Sequence, residues 1–161
     1  MPSQIVNECS QAIKDLSLTL ACAESATAGR LAFEFSLTPH SGSILKGGLV
    51  CYDATIKTDI LGIESGYIEE FTPESAEVTE AVATHLRSFI KSDIQIAVTG
   101  LTTSGGSETE QKPVGTMFIH ILIHERSIAV REVFEGSPEQ IVLQAIDLAA
   151  KTLLDELKQI T

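Results

Sequence analysis

The sequence predicts an α/β fold built on a mixed, mostly parallel sheet of about five strands. Through the first two thirds of the chain, short apolar runs typical of buried strands alternate with apolar residues at helical spacing. Near the C-terminal end, two runs rich in β-branched and aromatic residues follow each other with only a short turn between them. The alternation favours parallel strands joined by crossover helices, and the second pattern adds an antiparallel hairpin.

The first five segments alternate in type. Residues 3–16 carry an apolar stripe at helical spacing, and residues 18–23 form a short apolar run that predicts a buried strand. Residues 27–35 are predicted as a second helix, and residues 39–43, which contain proline, glycine and serine, as a loop. Residues 48–52 (Gly-Leu-Val-Cys-Tyr) are predicted as the second strand.

The middle of the chain contains two further helices and a third strand. A short helix is expected over residues 54–61. The Thr-Pro-Glu sequence at 72–74 is typical of a helix start, because threonine caps and proline fits the first helical position. Apolar residues at every third or fourth position extend that helix to about residue 91. Residues 94–98 are predicted as the third strand, and residues 100–112 as a polar loop.

The C-terminal third predicts a hairpin followed by a long helix. Residues 114–123 and 127–134 form the two strands of the hairpin, with a turn at Glu125. Residues 137–140 (Ser-Pro-Glu-Gln) have the pattern of a capping box with proline at the first helical position. The final helix then carries apolar residues at helical spacing as far as Leu157.

Length, charge and cysteine usage exclude several classes. A chain of 161 residues predicts one domain, residues 1–161, with a sizeable core. A net charge of -11 repels phosphate backbones and anionic lipids, which argues against nucleic-acid and membrane partners. No apolar stretch approaches the ~20 residues of a membrane span, and no signal-peptide pattern is visible. Three cysteines without Cys-x-x-Cys spacing argue against disulfides and zinc, and predict a reducing, cytoplasmic location.

One candidate ligand site lies where the first strand ends and a helix begins, at residues 23–29 (Ala-Glu-Ser-Ala-Thr-Ala-Gly). Ligands of open α/β sheets bind at the carboxyl ends of strands, and free N–H groups at a helix start can hold an oxyanion. The small residues around Ser25 let a ligand approach the backbone. The alternative is that Ser25 only caps the helix.

Two more candidates follow the next two strands. Tyr52 lies at the end of the second predicted strand and Lys57 at the start of the helix that follows. Burial lowers the pKa of a lysine, which can then act as a base for a serine, and a tyrosine can relay a proton or donate to an oxyanion. The alternative is a half-buried tyrosine and a solvated lysine. Residues 99–107, with 112–116, form a long loop that can supply amide and hydroxyl groups, or else is a mobile surface loop.

Other patterns do not indicate sites. Residues 105–112 lack the spacing of a P-loop. His120 and His124 are separated by ~13 Å along a predicted strand, too far to share one metal ion, and are expected at surface or edge positions. The glutamates between residues 64 and 80 are expected to form a solvated acidic face. We therefore predict no metal site.

Five segments, at matching spacings, are similar to motifs of one known family. Glu-Ser-Cys-Thr-Gly-Gly corresponds to residues 24–29, Tyr-Ser-Asn-x-x-Lys to 52–57, and Gly-x-Ala-Gly-Pro to 100–104 with the two following glycines. Lys-Pro-Val-Gly-Thr is intact at 112–116 and Arg-Glu-x-Phe-x-Gly at 131–136. From about residue 20 to residue 157, the chain resembles the CinA C-terminal domain family, whose characterised members are nicotinamide mononucleotide amidohydrolases.

The resemblance implies a three-layer α/β/α sandwich and hydrolysis of the substrate carboxamide to nicotinate mononucleotide and ammonia. It implies that Ser25 is the nucleophile, that Lys57 takes its proton and that Tyr52 assists, with backbone N–H groups near Thr27 holding the oxyanion. No metal or organic cofactor is implied. The expected substrate-binding residues lie in these motifs or next to them: Glu24, Thr27, Gly29, Arg30, Gly100, Thr102, Gly105 and Gly106.

Departures from the family pattern support a second hypothesis. Ala26 and Ala28 replace a cysteine and a glycine, and residues 53–54 (Asp-Ala) replace Ser-Asn. The arginines that the family carries after its Phe-x-Gly motif, candidates for binding a substrate phosphate, have no counterpart in residues 137–143. The alternative is a non-catalytic ligand-binding or interaction domain. We expect self-association, and because the family's usual first domain has no counterpart here, we expect any activity to be self-contained.

Overall fold

A five-stranded mixed sheet forms the centre of the protein in a computed structural model that describes all 161 residues. The strands are β1 (Leu20–Glu24), β2 (Leu45–Val50), β3 (Ile94–Gly100), β4 (Thr116–Ile123) and β5 (Arg126–Val133). Their order is β2-β1-β3-β4-β5. β1 is parallel to both of its neighbours, whereas β4 and β5 form the antiparallel hairpin. The predicted fold class and all five strands are confirmed.

Seven helices cover the two faces of this sheet. They are α1 (Gln4–Asp15), α2 (Arg30–Ser36), α3 (Ser41–Ile44), α4 (Ala54–Asp59), α5 (Ser65–Phe71), α6 (Ala76–Phe89) and α7 (Pro138–Ile160). A larger apolar cluster joins one face of the sheet to α1, α2 and α7, and a smaller one joins the other face to α5 and α6. Successive side chains of a strand point to opposite faces, so Cys22 belongs to the first cluster and Ala23 to the second. The result is the expected sandwich of helix, sheet and helix.

Some predicted boundaries are wrong for local reasons. The second helix begins at Arg30 instead of residue 27, because Ala28 and Gly29 have left-handed backbone conformations that break the helical path. β2 begins three residues earlier than expected, since its glycines hide the strand pattern; at Gly48 a Cβ atom would lie 3.2 Å from Cβ of Ala32.

Three helix predictions also need correction. The predicted loop 39–43 contains the short helix α3, and α5 was not predicted at all. The cap of α6 is Ser75, whose Oγ accepts a hydrogen bond of 3.1 Å from the N–H of Val78, and not Thr72. Thr72 instead ends α5, with φ of 70° and ψ of 150°, a backbone conformation that is not helical and that residues other than glycine rarely adopt. The capping box at the start of α7 is confirmed.

The expectation of surface or edge histidines is wrong for His120. His120 lies within β4 and is only 4% exposed, and its Nε2 lies 2.7 Å from Oγ of Ser127 on β5. Burial lowers the pKa of His120. The three cysteines are all buried and unpaired, and the chain contains no helix with the length and apolar character that a bilayer crossing requires.

A buried carboxylate shapes the turn between β1 and α2. Oε2 of Glu24 accepts hydrogen bonds from Oγ1 of Thr27 at 2.6 Å and from the N–H groups of Gly29 and Leu31 at 3.1 and 2.9 Å. Oε1 accepts a further bond of 2.9 Å from the N–H of Ala32. These bonds satisfy N–H groups that a helix leaves without partners in its first turn. Glu24 therefore fixes the path of the chain immediately after β1.

Backbone hydrogen bonds close the base of the long loop between β3 and β4. The N–H of Leu101 donates to the carbonyl of Thr116, and the N–H of Gly115 donates to the carbonyl of Leu101 at 2.7 Å. The carbonyl of Gly115 also accepts from the N–H of Phe134. Gly115 has φ of 100°, and a Cβ atom there would lie 2.0 Å from the carbonyl oxygen of Phe134. Only glycine fits this position, which accounts for the Gly of the Lys-Pro-Val-Gly-Thr motif.

We expect Gly115→Ala to lower the free energy of unfolding by about 3 kcal/mol, because the added methyl group meets backbone at a left-handed position. Gly66→Ala is the control: Gly66 lies within α5 with no atom within 4 Å of the new Cβ, so this change should raise stability by up to about 1 kcal/mol. Urea denaturation of both variants measures the difference. Equal stabilities would contradict the account of the loop base.

We expect Glu24→Ala to destabilise the protein by about 2–4 kcal/mol, since four donors lose a buried, charged acceptor. Glu70→Ala removes an exposed carboxylate and should change the free energy of unfolding by less than about 0.5 kcal/mol. The same denaturation experiment compares the two. A Glu24→Ala variant as stable as the Glu70→Ala variant would show that the turn keeps its conformation without the carboxylate, and would contradict the role given to Glu24.

Candidate active site

One polar cavity lies at the carboxyl ends of the parallel strands. Its volume is about 250 Å³. The wall is formed by Ser25 and Ala26 after β1, Tyr52 after β2, Glu74 before α6, and residues 100–106, which begin with the last residue of β3. The structure thus brings together three segments that the sequence singled out separately. The convergence follows from the topology, because β2, β1 and β3 are adjacent and parallel.

Ser25 presents an unengaged hydroxyl to this cavity. Ser25 is only 6% exposed, and its backbone N–H donates a hydrogen bond of 2.9 Å to the carbonyl of Val98. The hydroxyl itself makes no hydrogen bond within the protein. Because Glu24, and not Ser25, accepts from the first N–H groups of α2, the alternative of Ser25 as a helix cap is wrong.

Two backbone amides next to Ser25 also lack partners. The N–H groups of Ala26 and Thr27 donate to no protein acceptor, whereas the N–H groups of Ala28 and Gly29 are both engaged. Unpaired N–H groups beside a hydroxyl can stabilise a negative oxygen formed by attack of that hydroxyl. This pair corresponds to the backbone donors near Thr27 that the family resemblance implies.

Lys57 is completely buried on α4. Its Nζ donates one hydrogen bond of 3.0 Å, to the carbonyl of Cys51, and makes no other. Burial lowers the pKa of Lys57, and the nearby Cys51, Glu74 and Asp53 oppose the shift only in part. The alternative of a solvated lysine is therefore wrong. The structure does not, however, place the amine on the cavity wall or in hydrogen-bond contact with Ser25.

Tyr52 lies at the mouth of the cavity. Its side chain is 64% exposed and makes no hydrogen bond, and it follows β2 instead of lying within the strand. The next residue, Asp53, caps α4 by accepting a bond of 2.8 Å from the N–H of Thr55. That cap orients the helix that carries Lys57. Asp53, which replaces the serine of the family pattern, can therefore still cap this helix.

Half of the expected substrate-binding residues lie outside the cavity wall. Thr27 and Gly29 donate hydrogen bonds to the carboxylate of Glu24. These three residues fix the conformation of the turn that contains Ser25. Arg30 pairs with Glu34 at 2.6 Å and with Glu139 at 3.4 Å. Direct ligand contact is therefore not supported for Glu24, Gly29, Arg30 or the side chain of Thr27, whereas the backbone N–H of Thr27 stays free for a ligand. The other four, Gly100, Thr102, Gly105 and Gly106, do line the cavity.

The loop amides are not all available to a ligand. The N–H groups of Gly105 and Gly106 donate to the two carboxylate oxygens of Glu108 at 2.7 and 2.8 Å. These hydrogen bonds lower the pKa of Glu108. The expectation that this part of the loop offers free amides is therefore wrong.

Sequence reasoning also missed Glu74 and Lys112. Glu74 was expected on a solvated acidic face, but it lines the cavity and its carboxylate accepts a hydrogen bond from Ser107. Nζ of Lys112 donates bonds of 2.8 Å to Oγ1 of Thr72, the carbonyl of Glu74 and Oγ of Ser107. The lysine thereby holds the long loop against the start of α6. The intact Lys-Pro-Val-Gly-Thr motif was the available signal for Lys112.

Comparison with known proteins agrees with this architecture. The model of the CinA C-terminal domain family matches residues 2–157. A CinA-like protein of Petrotoga mobilis is 36% identical over 140 residues, which make up 86% of this chain and 34% of that protein. The chain thus spans about a third of the length of the curated relatives it matches.

Solved structures with the same fold include the competence or damage-inducible protein of Enterobacter asburiae, with a TM-score of 0.89, 25% identity and 96% of each chain covered. A CinA superfamily protein of Escherichia coli has a TM-score of 0.87 at 26% identity, covering 93% of this chain and 87% of that one. With a family match over almost its whole length, the chain belongs to the CinA C-terminal domain family.

Proposed function

We propose that the protein is an amidohydrolase of the nicotinamide-nucleotide deamidase type, with Ser25 as its nucleophile. The reaction adds water to a pyridine carboxamide and yields the carboxylate and ammonia. The observation that carries the proposal is the unengaged Ser25 hydroxyl at the cavity wall, followed by two backbone N–H groups without partners. Such an arrangement suits attack on an amide carbonyl and stabilisation of the resulting oxyanion.

The remaining steps are assigned to groups around the cavity. Lys57 acts as the base: as a neutral amine it donates one N–H to the carbonyl of Cys51 and keeps its lone pair for the proton of Ser25. That transfer requires the amine to move toward the cavity, or one water to lie between the two groups. Tyr52 at the mouth relays the proton to the leaving ammonia. Water then attacks the acyl-Ser25 ester and releases the acid.

A binding domain without catalysis is the second candidate. It is favoured by one observation, the lack of a hydrogen bond between Lys57 and Ser25. In that case the cavity would hold a small amide without turning it over.

Two expectations remain proposals. We propose a cytoplasmic location, in keeping with three unpaired cysteines. We also propose self-association, which is supported by exposed apolar side chains at Phe33 of α2, at Leu37 immediately after that helix and at Val50 of β2.

The test is ammonia release from nicotinamide mononucleotide and from its unphosphorylated nucleoside, nicotinamide riboside. We expect Ser25→Ala to lower the rate at least ~10³-fold, because the acylated intermediate can no longer form. Ser104→Ala is the matched control, since Ser104 lines the same cavity without a catalytic role, and its rate should stay within about 10-fold of the native value. Ammonia release that survives Ser25→Ala, or no release by the native protein, would contradict the proposal.

A further inference from the structure

The charge of the cavity wall restricts what can bind there. Of the residues that line the cavity, Glu74 alone carries a charged side chain, and no lysine, arginine or histidine is among them. The protein as a whole has a net charge of -11. A ligand entering the cavity therefore meets one carboxylate and no basic side chain on the wall, since the amines of Lys57 and Lys112, which interact with Glu74, are not part of it.

Basic side chains around the cavity are held by other partners. All three donor positions of Lys112 are used, by Thr72, Glu74 and Ser107. Arg131 donates to the carbonyl of Gln111 and lies over the ring of Phe118, 5.8 Å from its centre. An incoming phosphate would have to break these bonds to gain a cationic partner.

A pair of amides on the long loop that could bind an anion is occupied by the chain itself. Successive N–H groups such as those of Gly105 and Gly106 form a concave site that favours phosphate or carboxylate. Here both donate to the carboxylate of Glu108. The loop thus supplies its own anion at the position where a substrate phosphate would otherwise find hydrogen-bond donors.

We propose that this site selects a cationic pyridine carboxamide nucleoside without a phosphate over the corresponding nucleotide. The N-substituted pyridinium ring carries a positive charge that the Glu74 carboxylate attracts, whereas a 5′-phosphate is repelled by Glu74 and Glu108. The selectivity deepens the proposed amidohydrolase function and rests on it for turnover. The binding preference itself depends only on the charges of the cavity.

Calorimetry on the Ser25→Ala protein tests the preference without interference from hydrolysis. We expect nicotinamide riboside to bind at least ~10-fold more tightly than nicotinamide mononucleotide at low salt, and the ratio to shrink at high salt. Glu74→Gln should weaken binding of the riboside about threefold or more, because the pyridinium loses its counter-charge.

A second pair of variants tests whether the carboxylate of Glu108 keeps a substrate phosphate away from the amides of Gly105 and Gly106. Glu108→Gln should raise the affinity for the mononucleotide at least ~3-fold and leave that for the riboside within about twofold. Glu110→Gln is the matched control: it removes an equal charge from an exposed position in the same loop, and should leave the ratio of the two affinities unchanged. Thermal melting checks that each variant is folded.

The outcomes distinguish failure of the selectivity for the riboside from failure of the proposed amidohydrolase activity. Equal or tighter binding of the mononucleotide, or no binding of the riboside, overturns the inference. Ammonia release from the mononucleotide that exceeds release from the riboside leaves the amidohydrolase proposal standing and contradicts the selectivity. The expected binding preference without ammonia from either compound supports the selectivity and contradicts the amidohydrolase proposal.

Discussion

The buried carboxylate of Glu24 is the interaction on which the site depends. By accepting four hydrogen bonds from the turn and from the first residues of α2, it takes over the role that a capping serine normally has. Ser25 is thereby released from capping, and the amides of Ala26 and Thr27 are left without protein partners. A turn that satisfied itself through Ser25 would leave neither a nucleophile nor an oxyanion site at the end of β1.

Local signals in the sequence were sufficient for much of the fold. The Ser-Pro-Glu-Gln box at residues 137–140 and the alternation of apolar runs with helical patterns depend on neighbours in sequence, and the structure confirms both. The motif around Ser25 likewise placed the hydroxyl at a strand end. Glu74 and Glu108 escaped prediction because their partners are set by folding: Glu74 meets Ser107 across 33 positions, and a glutamate in a polar loop gives no sign that it will bond amides.

Lys57 shows a different limit of sequence reasoning. A lysine at this position in a short helix is ordinarily solvated, and nothing nearby in sequence indicates that its amine is fully enclosed. Its helix packs through Ala54 and Ile56 against the smaller apolar cluster, to which α6 and α5 contribute, and α5 was not predicted from the sequence. That enclosure lowers the pKa of the amine and so favours its neutral form, the form that can accept a proton. The same enclosure keeps it away from Ser25 in this conformation.

The most direct test is the rate at which a serine-directed acylating probe modifies Ser25, measured by peptide mass spectrometry between pH 6 and 10. Because only the neutral amine accepts a proton, and burial lowers the pKa of Lys57 below 10.5, the rate should rise with pH and level off below that value. Lys57→Met should label at least ~10²-fold more slowly and without that profile. Equal labelling of the two proteins, or modification of a residue other than Ser25, would contradict a serine activated by a buried lysine.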